Sequence, residues 1–382
     1  MRNLAFAQPM IGDEEKKAVL ETLNSPLLVH GPKSAEFEAD FSTFIGGGLA
    51  TSTSSATTAL QLAYMSLSIG VGDEVIVTSL THVATANSIL SVGATPVFVD
   101  IDPTDANISV ESVRQAITEN TKAICVVHYL GRPVDMSGIM SIAEQNNLFV
   151  VEDCALALGS RYEKTHVGLI GDFGAFSFYP AKHITTGEGG MLVSKNLELI
   201  EEAAKRKAFY YDKGVGERKT PGVYDIVGFG LNFRMSEIAA SLGIVQLRKL
   251  PKFLERREEN SKLLSQLIQD SEFGRLLPMS DFKRESSFYC ASFVLNEKLT
   301  KLRGNVISRI KEFGIGASVY YPVAIPESTY YSQNRDKSRF FAYTHASQFA
   351  KSNVAIGIGP HLDEDDIVYL AEKLNLALSE LS

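Results

Sequence analysis

The chain has 382 residues, 45% of them hydrophobic and 21% charged, a composition that supports a large buried core and excludes extended disorder. A formal net charge of −8 argues against a broad nucleic-acid footprint, which needs clustered Lys and Arg, while leaving room for a small phosphorylated ligand held by a few donors. No apolar run approaches the roughly 18–20 residues of a membrane span, and Gln8 and Pro9 interrupt the apolar start, so a cytoplasmic protein with no membrane partner is expected.

Three cysteines, Cys125, Cys154 and Cys290, are far apart and odd in number. That spacing supplies neither a disulfide framework nor a metal ligand set, and buried, inert thiols are expected.

In chain order, the run from Thr51 to Leu62 (TSTSSATTALQL) opens a helix whose start is crowded with small hydroxyl residues. Such a start offers free backbone N–H groups to a phosphate, although the same residues also make plain helix caps. Strands are predicted at EVIVT from Glu74, PVFVDI from Pro96, AICVVH from Ala123, LFVVED from Leu148, AFSFY from Ala175 and GMLVS from Gly190. Helical patterns alternate with them, which implies mostly parallel pairing with both faces of the sheet covered. The texture changes after Met235: a long helical stretch follows, predicted to break at Pro251, then short strand-like pieces and a terminal helix. The expected division is a large domain at 1–245 and a smaller C-terminal α/β domain at 246–382.

The sharpest chemical signal is the stretch from Ser177 to Gly190, SFYPAKHITTGEGG. It places Lys182 after a buried strand and before a glycine-rich turn. A lysine near a low-dielectric strand end loses its charge more easily and can form a Schiff base with an aldehyde. Asp153 ends another strand, at the edge where open α/β sheets hold ligands, and an acid there can pair with a protonated pyridine nitrogen. A solvated loop lysine and a strand-end cap are the plainer readings of each residue alone. Glu152, one residue earlier, points to the opposite face of a regular strand.

Seven segments in order resemble one family: Gly31 to Glu38 (GPKSAEFE), Gly72 to Ile76 (GDEVI), Thr85-Ala-Asn87, Asp100-Ile-Asp102, Glu152-Asp153, Ser177 to Gly190, and Asn232 to Glu237 (NFRMSE). They are similar to the DegT/DnrJ/EryC1/StrS sugar aminotransferases, within the fold-type I pyridoxal-phosphate enzymes, and the likeness covers nearly the whole chain.

The resemblance implies pyridoxal 5'-phosphate as cofactor, an amino-acid donor, with glutamate expected, and a keto-sugar acceptor linked to a nucleotide. It casts Lys182 as the lysine that holds the cofactor and shuttles a proton, and Asp153 as the acid beneath the pyridine nitrogen. Ala56, Thr57 and Ser177 match phosphate-binding positions. Asn232 matches an asparagine that reaches the cofactor of a neighbouring subunit, which implies a homodimer with shared active sites. His82 stands where the family stacks an aromatic ring, and Leu156 where it usually has histidine or glutamine; both are departures. His183 and Tyr320 are further substrate-contact candidates, with Lys33, Arg218 and Lys219 suggested by charge alone. A related branch has histidine in place of the lysine and removes a sugar hydroxyl. That dehydratase chemistry and a non-catalytic cofactor-binding regulator are the alternatives, and the presence of Lys182 favours amino transfer.

Overall fold

A computed structural model describes residues 2–214, 218–268, 272–334 and 342–381. Its centre is a seven-stranded sheet in the order Leu49–Thr53, Gly190–Ser194, Phe173–Ser177, Phe149–Asp153, Thr121–Val127, Glu74–Thr78, Thr95–Val99. Only Gly190–Ser194 runs against the others. The C-terminal ends Thr53, Thr78, Val127, Asp153 and Ser177 therefore share one edge. The inner strands are β-branched and buried on both faces: Val75, Ile76, Val77, Ile124, Val126, Val150 and Val151 are all fully shielded. Helices cover the sheet, as parallel connections require. The expected α/β fold with a mostly parallel sheet is what the chain adopts.

A second, four-stranded antiparallel sheet, Gly274–Leu276, Ala291–Leu295, Asn353–Ile356 and Ala317–Ser318, gathers the C-terminal residues. The chain start also belongs to this region: the Leu4 amide donates to the Gly314 carbonyl at 2.8 Å, and the Gly316 amide to the Leu4 carbonyl at 2.7 Å. Arg284–Glu285 pairs with Arg161–Tyr162, so a strand beside the second sheet extends a hairpin of the first half.

The helix Glu237–Leu267 links the two regions and does not break at Pro251. Pro251 removes one N–H donor, but its ring faces solvent, and packing holds the helix on either side of it. The helices Asp13–Leu23, Pro32–Ile45 and Glu364–Leu381 all rest on it. All three cysteines are buried and unbridged. Among the described residues, no helix is long and apolar enough to cross a membrane.

Candidate active site

A cavity of about 480 Å³ opens at the shared C-terminal edge of the central sheet. It has the size and mixed lining of a small-molecule site, in the position that parallel α/β sheets reserve for ligands. One wall is the start of the helix Ala56–Ser66. Ser55 caps it, its Oγ accepting from the Thr58 amide at 3.2 Å, while the first amides, at Ala56 and Thr57, have no acceptor within the helix. Gly190 allows this helix to sit against the sheet. A Cβ at position 190 would lie 2.5 Å from the Ser55 carbonyl carbon and 2.6 Å from the Ala56 nitrogen.

Lys182 lies in the turn between the strands Phe173–Ser177 and Gly190–Ser194. Its amide donates to the Tyr179 carbonyl at 2.8 Å, and the Thr186 amide folds back to Phe178 at 3.0 Å. Its amine reaches the cavity, 5.5 Å from the centre of the Tyr289 ring. Burial lowers the pKa of this amine to about 8, with the Asp153 carboxylate pulling the other way.

Asp153 is 6% exposed and lines the same cavity. Its Oδ2 accepts from Thr85 Oγ1 at 2.8 Å and its Oδ1 from the Ala155 amide at 3.0 Å. Glu152 faces away, as expected. Its carboxylate takes the amides of Gly168, Ile170 and Gly171 and contacts His128 Nε2 at 3.1 Å. It thereby braces the turn beneath the strand end.

His82 caps the helix Val83–Ser91, Nδ1 accepting from the Ala84 amide at 3.1 Å. Its ring is exposed at the cavity and meets Tyr321 edge-on, 6.1 Å between centres. Partial desolvation and the nearby Lys182 hold its pKa down. Ser177 and Tyr320 complete the set, Tyr320 bonding through its hydroxyl to Tyr289 at 2.8 Å. Leu156, 3% exposed, gives the cavity an apolar patch where the resemblance anticipates a polar side chain.

The structure thus brings Ala56, Thr57, His82, Asp153, Ser177, Lys182 and Tyr320 around one cavity. It does not bring the others there. His183, next to Lys182, is buried and turned away, its Nε2 3.2 Å from the Ser287 carbonyl oxygen. Asn232 is exposed outside this cavity, bridging to Ala208. Lys33 pairs with Glu36 at 2.7 Å. Arg218 stacks on Tyr224, 4.5 Å from its ring centre, beside a separate cavity of about 370 Å³ that His30, Lys205, Lys213 and Arg234 also line. Lys219 is exposed.

Sequence reasoning missed Thr85 as a site residue, although it stands in the matched segment Thr85-Ala-Asn87. It also missed Tyr179, Glu188 and Tyr289, which line the cavity. An isolated tyrosine far along the chain carries no signal for a lysine it meets only after folding.

Residues 9–375 match the DegT/DnrJ/EryC1/StrS aminotransferase family. The spore coat polysaccharide biosynthesis protein SpsC of Bacillus subtilis is 35% identical over 95% of this chain and 94% of its own length. GDP-perosamine synthase of Escherichia coli O157:H7 is 33% identical over 98% of each chain. Among solved structures, PseC of Helicobacter pylori, an aminotransferase involved in the biosynthesis of pseudoaminic acid, superposes with a TM-score of 0.93. It is 30% identical and covers 99% of this chain and 100% of its own.

Pyridoxal phosphate is the cofactor of this family. The residues present fit it on their own chemistry. A shielded amine of lowered pKa serves an aldehyde, a carboxylate held by two donors serves a protonated ring nitrogen, and an open helix start serves a phosphate.

Proposed function

We propose that this chain, which belongs to the DegT/DnrJ/EryC1/StrS aminotransferase family, takes the amino group of an amino acid and delivers it to a keto group on a nucleotide-linked deoxysugar. Glutamate is the expected donor. The observation that carries the reading is the Lys182 amine held in the same cavity as the Asp153 carboxylate, at the edge of the sheet.

When bound, pyridoxal phosphate supplies an aldehyde that carries the amino group and an electron sink for the bond being broken. Lys182 holds it and, as a neutral amine, takes a proton from the substrate carbon and returns it. Asp153 would pair with the ring nitrogen, and His82, which lines the same cavity, would offer the ring an aromatic face. The amides of Ala56 and Thr57, with Ser177, take the phosphate at the positive end of their helix. Tyr320 and the surrounding tyrosines, which line the cavity, would exclude water and meet the sugar.

A homodimer with shared sites is the assembly we infer. Lys182 is the cavity's one cationic lining residue among the described residues, which leaves anionic substrate groups unmatched. Asn232, Arg218, Lys219 and Lys33 lie outside it, and in this reading they serve a neighbouring copy. Val223, Ile226, Val227 and Phe229, which lie between Lys219 and Asn232 in the chain, are exposed, and a run of exposed apolar side chains fits a covered interface. In this reading residues 1–245 carry the cofactor, residues 246–382 contribute Tyr289 and Tyr320, and the enzyme works in the cytoplasm.

The test is the visible absorbance of cofactor-loaded protein on adding glutamate. Conversion to the amino form of the cofactor supports amino transfer. Unchanged absorbance with every amino acid tried would put the dehydratase or regulatory reading in its place.

A further inference from the structure

We propose that Thr85, backed by Thr81, is a positioning residue that fixes the orientation of the Asp153 carboxylate. The inference rests on the reading of Asp153 as the partner of the cofactor's ring nitrogen.

The directions of the hydrogen bonds follow from the chemistry of the groups. A carboxylate only accepts, so the 2.8 Å contact between Thr85 Oγ1 and Asp153 Oδ2 uses the Thr85 proton. Thr85 Oγ1 also lies 2.8 Å from Thr81 Oγ1, and with its own proton committed it must accept there. Both hydroxyl protons therefore point along one line towards Asp153. Thr85 is 0% exposed and Thr81 1% exposed, so water does not compete for either bond. In such surroundings successive bonds polarise one another, and a missing donor is not replaced.

The arrangement is built by one short turn. His82 caps the helix Val83–Ser91, and Thr85 lies in its first turn, its amide bonded to the His82 carbonyl at 3.1 Å. The turn that presents the imidazole to the cavity thus also presents a hydroxyl to the acid. The Ala155 amide holds the other carboxylate oxygen from the opposite side. Two fixed donors, one on each oxygen, leave the carboxylate a single plane in which to stand.

The experiment compares cofactor-loaded Thr85→Val, Thr85→Ser, Thr81→Val and Asp153→Asn with the parent. Valine keeps the shape and β-branching of threonine without the hydroxyl. We expect Thr85→Val to fold and bind cofactor, with a thermal midpoint lowered only by the loss of one buried hydrogen bond. Its visible absorbance should shift towards that of Asp153→Asn, and its limiting donor half-reaction rate should fall about 10- to 100-fold with the KM for glutamate unchanged. Thr85→Ser should restore most of the rate, and Thr81→Val should show a smaller loss of the same kind. A parent-like spectrum and rate in Thr85→Val, with Asp153→Asn altered, overturns the inference and leaves the proposed function standing. Equal impairment of the valine and serine variants, with lowered thermal midpoints, assigns Thr85 to packing and overturns it too. A parent-like Asp153→Asn overturns the reading beneath it.

Discussion

The Nζ atom of Lys182 lies 5.5 Å from the centre of the Tyr289 ring, so an amine from the first half of the chain meets an aromatic face beside the second sheet. The ring is held from two sides. Its hydroxyl meets that of Tyr320 at 2.8 Å, and Arg257 Nη1 donates to the Tyr289 carbonyl at 2.7 Å. With the amine shielded in this cavity, removing it should cost chemistry far more than binding. Lys182→Ala is expected to bind pyridoxal phosphate reversibly, lose it on gel filtration, and slow the donor half-reaction by about 10²–10⁴-fold. Stopped-flow absorbance with glutamate measures the rate, and a variant within a few fold of the parent would remove Lys182 from the mechanism.

The lowered pKa of the same amine gives a pH signature. Only the neutral amine adds to an aldehyde, and burial brings its pKa down to about 8. The rate of cofactor uptake by cofactor-free protein should therefore rise about tenfold per pH unit below 8 and level off above it. An inflection near the ordinary lysine value, with uptake still climbing at pH 9.5, would show that the amine is not shielded in solution.

The inner strands were legible because their composition has a physical cause. Glu74–Thr78, a β-branched run, and Gly190–Ser194, a short apolar one, are buried on both sides, and they stand where the pattern predicts. The run predicted to open a helix starts at Thr51, but Thr51–Thr53 belongs to the strand Leu49–Thr53. Its sequence, LATST, carries small hydroxyl residues that are buried all the same, and no apolar run announces this edge strand, which pairs with Gly190–Ser194. The predicted break at Pro251 failed because packing along the helix outweighs one lost hydrogen bond. Lys182 and Asp153 were visible through their strand ends. The Thr85–Asp153 bond joins residues 68 positions apart, and His183 shares its neighbour's position in sequence without sharing its side of the turn.

Gly190 tests the helix start. A methyl group there would press on the backbone of Ser55 and Ala56 at 2.5 and 2.6 Å, where no side chain can swing aside. Gly190→Ala should push the helix Ala56–Ser66 outwards, costing about 1–3 kcal/mol of stability and weakening cofactor binding. Urea denaturation and a cofactor titration check the two effects, and a variant with the parent's values in both would mean that the pocket wall yields freely.

His166 predicts an acid-side loss of stability. It is buried, with Nε2 accepting from the Gly159 amide at 2.9 Å and Nδ1 donating to the Val167 carbonyl at 2.6 Å. Burial is the main cause that lowers its pKa to about 4, from 6.5 in the unfolded chain, with the Val167 carbonyl opposing and Arg161 adding to it. Between those values the unfolded chain binds more protons, so stability falls as pH drops from 6.5 towards 4, at up to about 1.4 kcal/mol per pH unit. His166→Gln, which keeps one donor and one acceptor, should start less stable at pH 7.5 and show a shallower decline. Urea midpoints from pH 4.5 to 7.5 measure the difference, and parallel slopes for the two proteins would place the acid sensitivity elsewhere.

Asp105 ties the two regions together through buried charge. Its Oδ2 lies 3.4 Å from Arg132 Nε and 2.6 Å from Arg284 Nη1, while Asp281 takes Arg132 Nη2 at 2.9 Å and Arg284 Nε at 2.6 Å. The Arg132 and Asp105 side chains are 5% and 6% exposed, so removing the Asp105 carboxylate leaves two guanidinium groups to share Asp281, with little water to take the lost place. Asp105→Ala is expected to cost about 3–5 kcal/mol. Replacing Arg284 alone should cost less, because it is 23% exposed and solvent takes up part of the loss. Since Arg284–Glu285 also pairs with Arg161–Tyr162, the Asp105 variant should loosen the contact between the halves before it unfolds either. Hydrogen exchange at residues 281–285 is the measurement. Faster exchange there than in the central sheet supports the role of Asp105 as a tie, and uniform acceleration across the chain would reduce it to one buried charge among others.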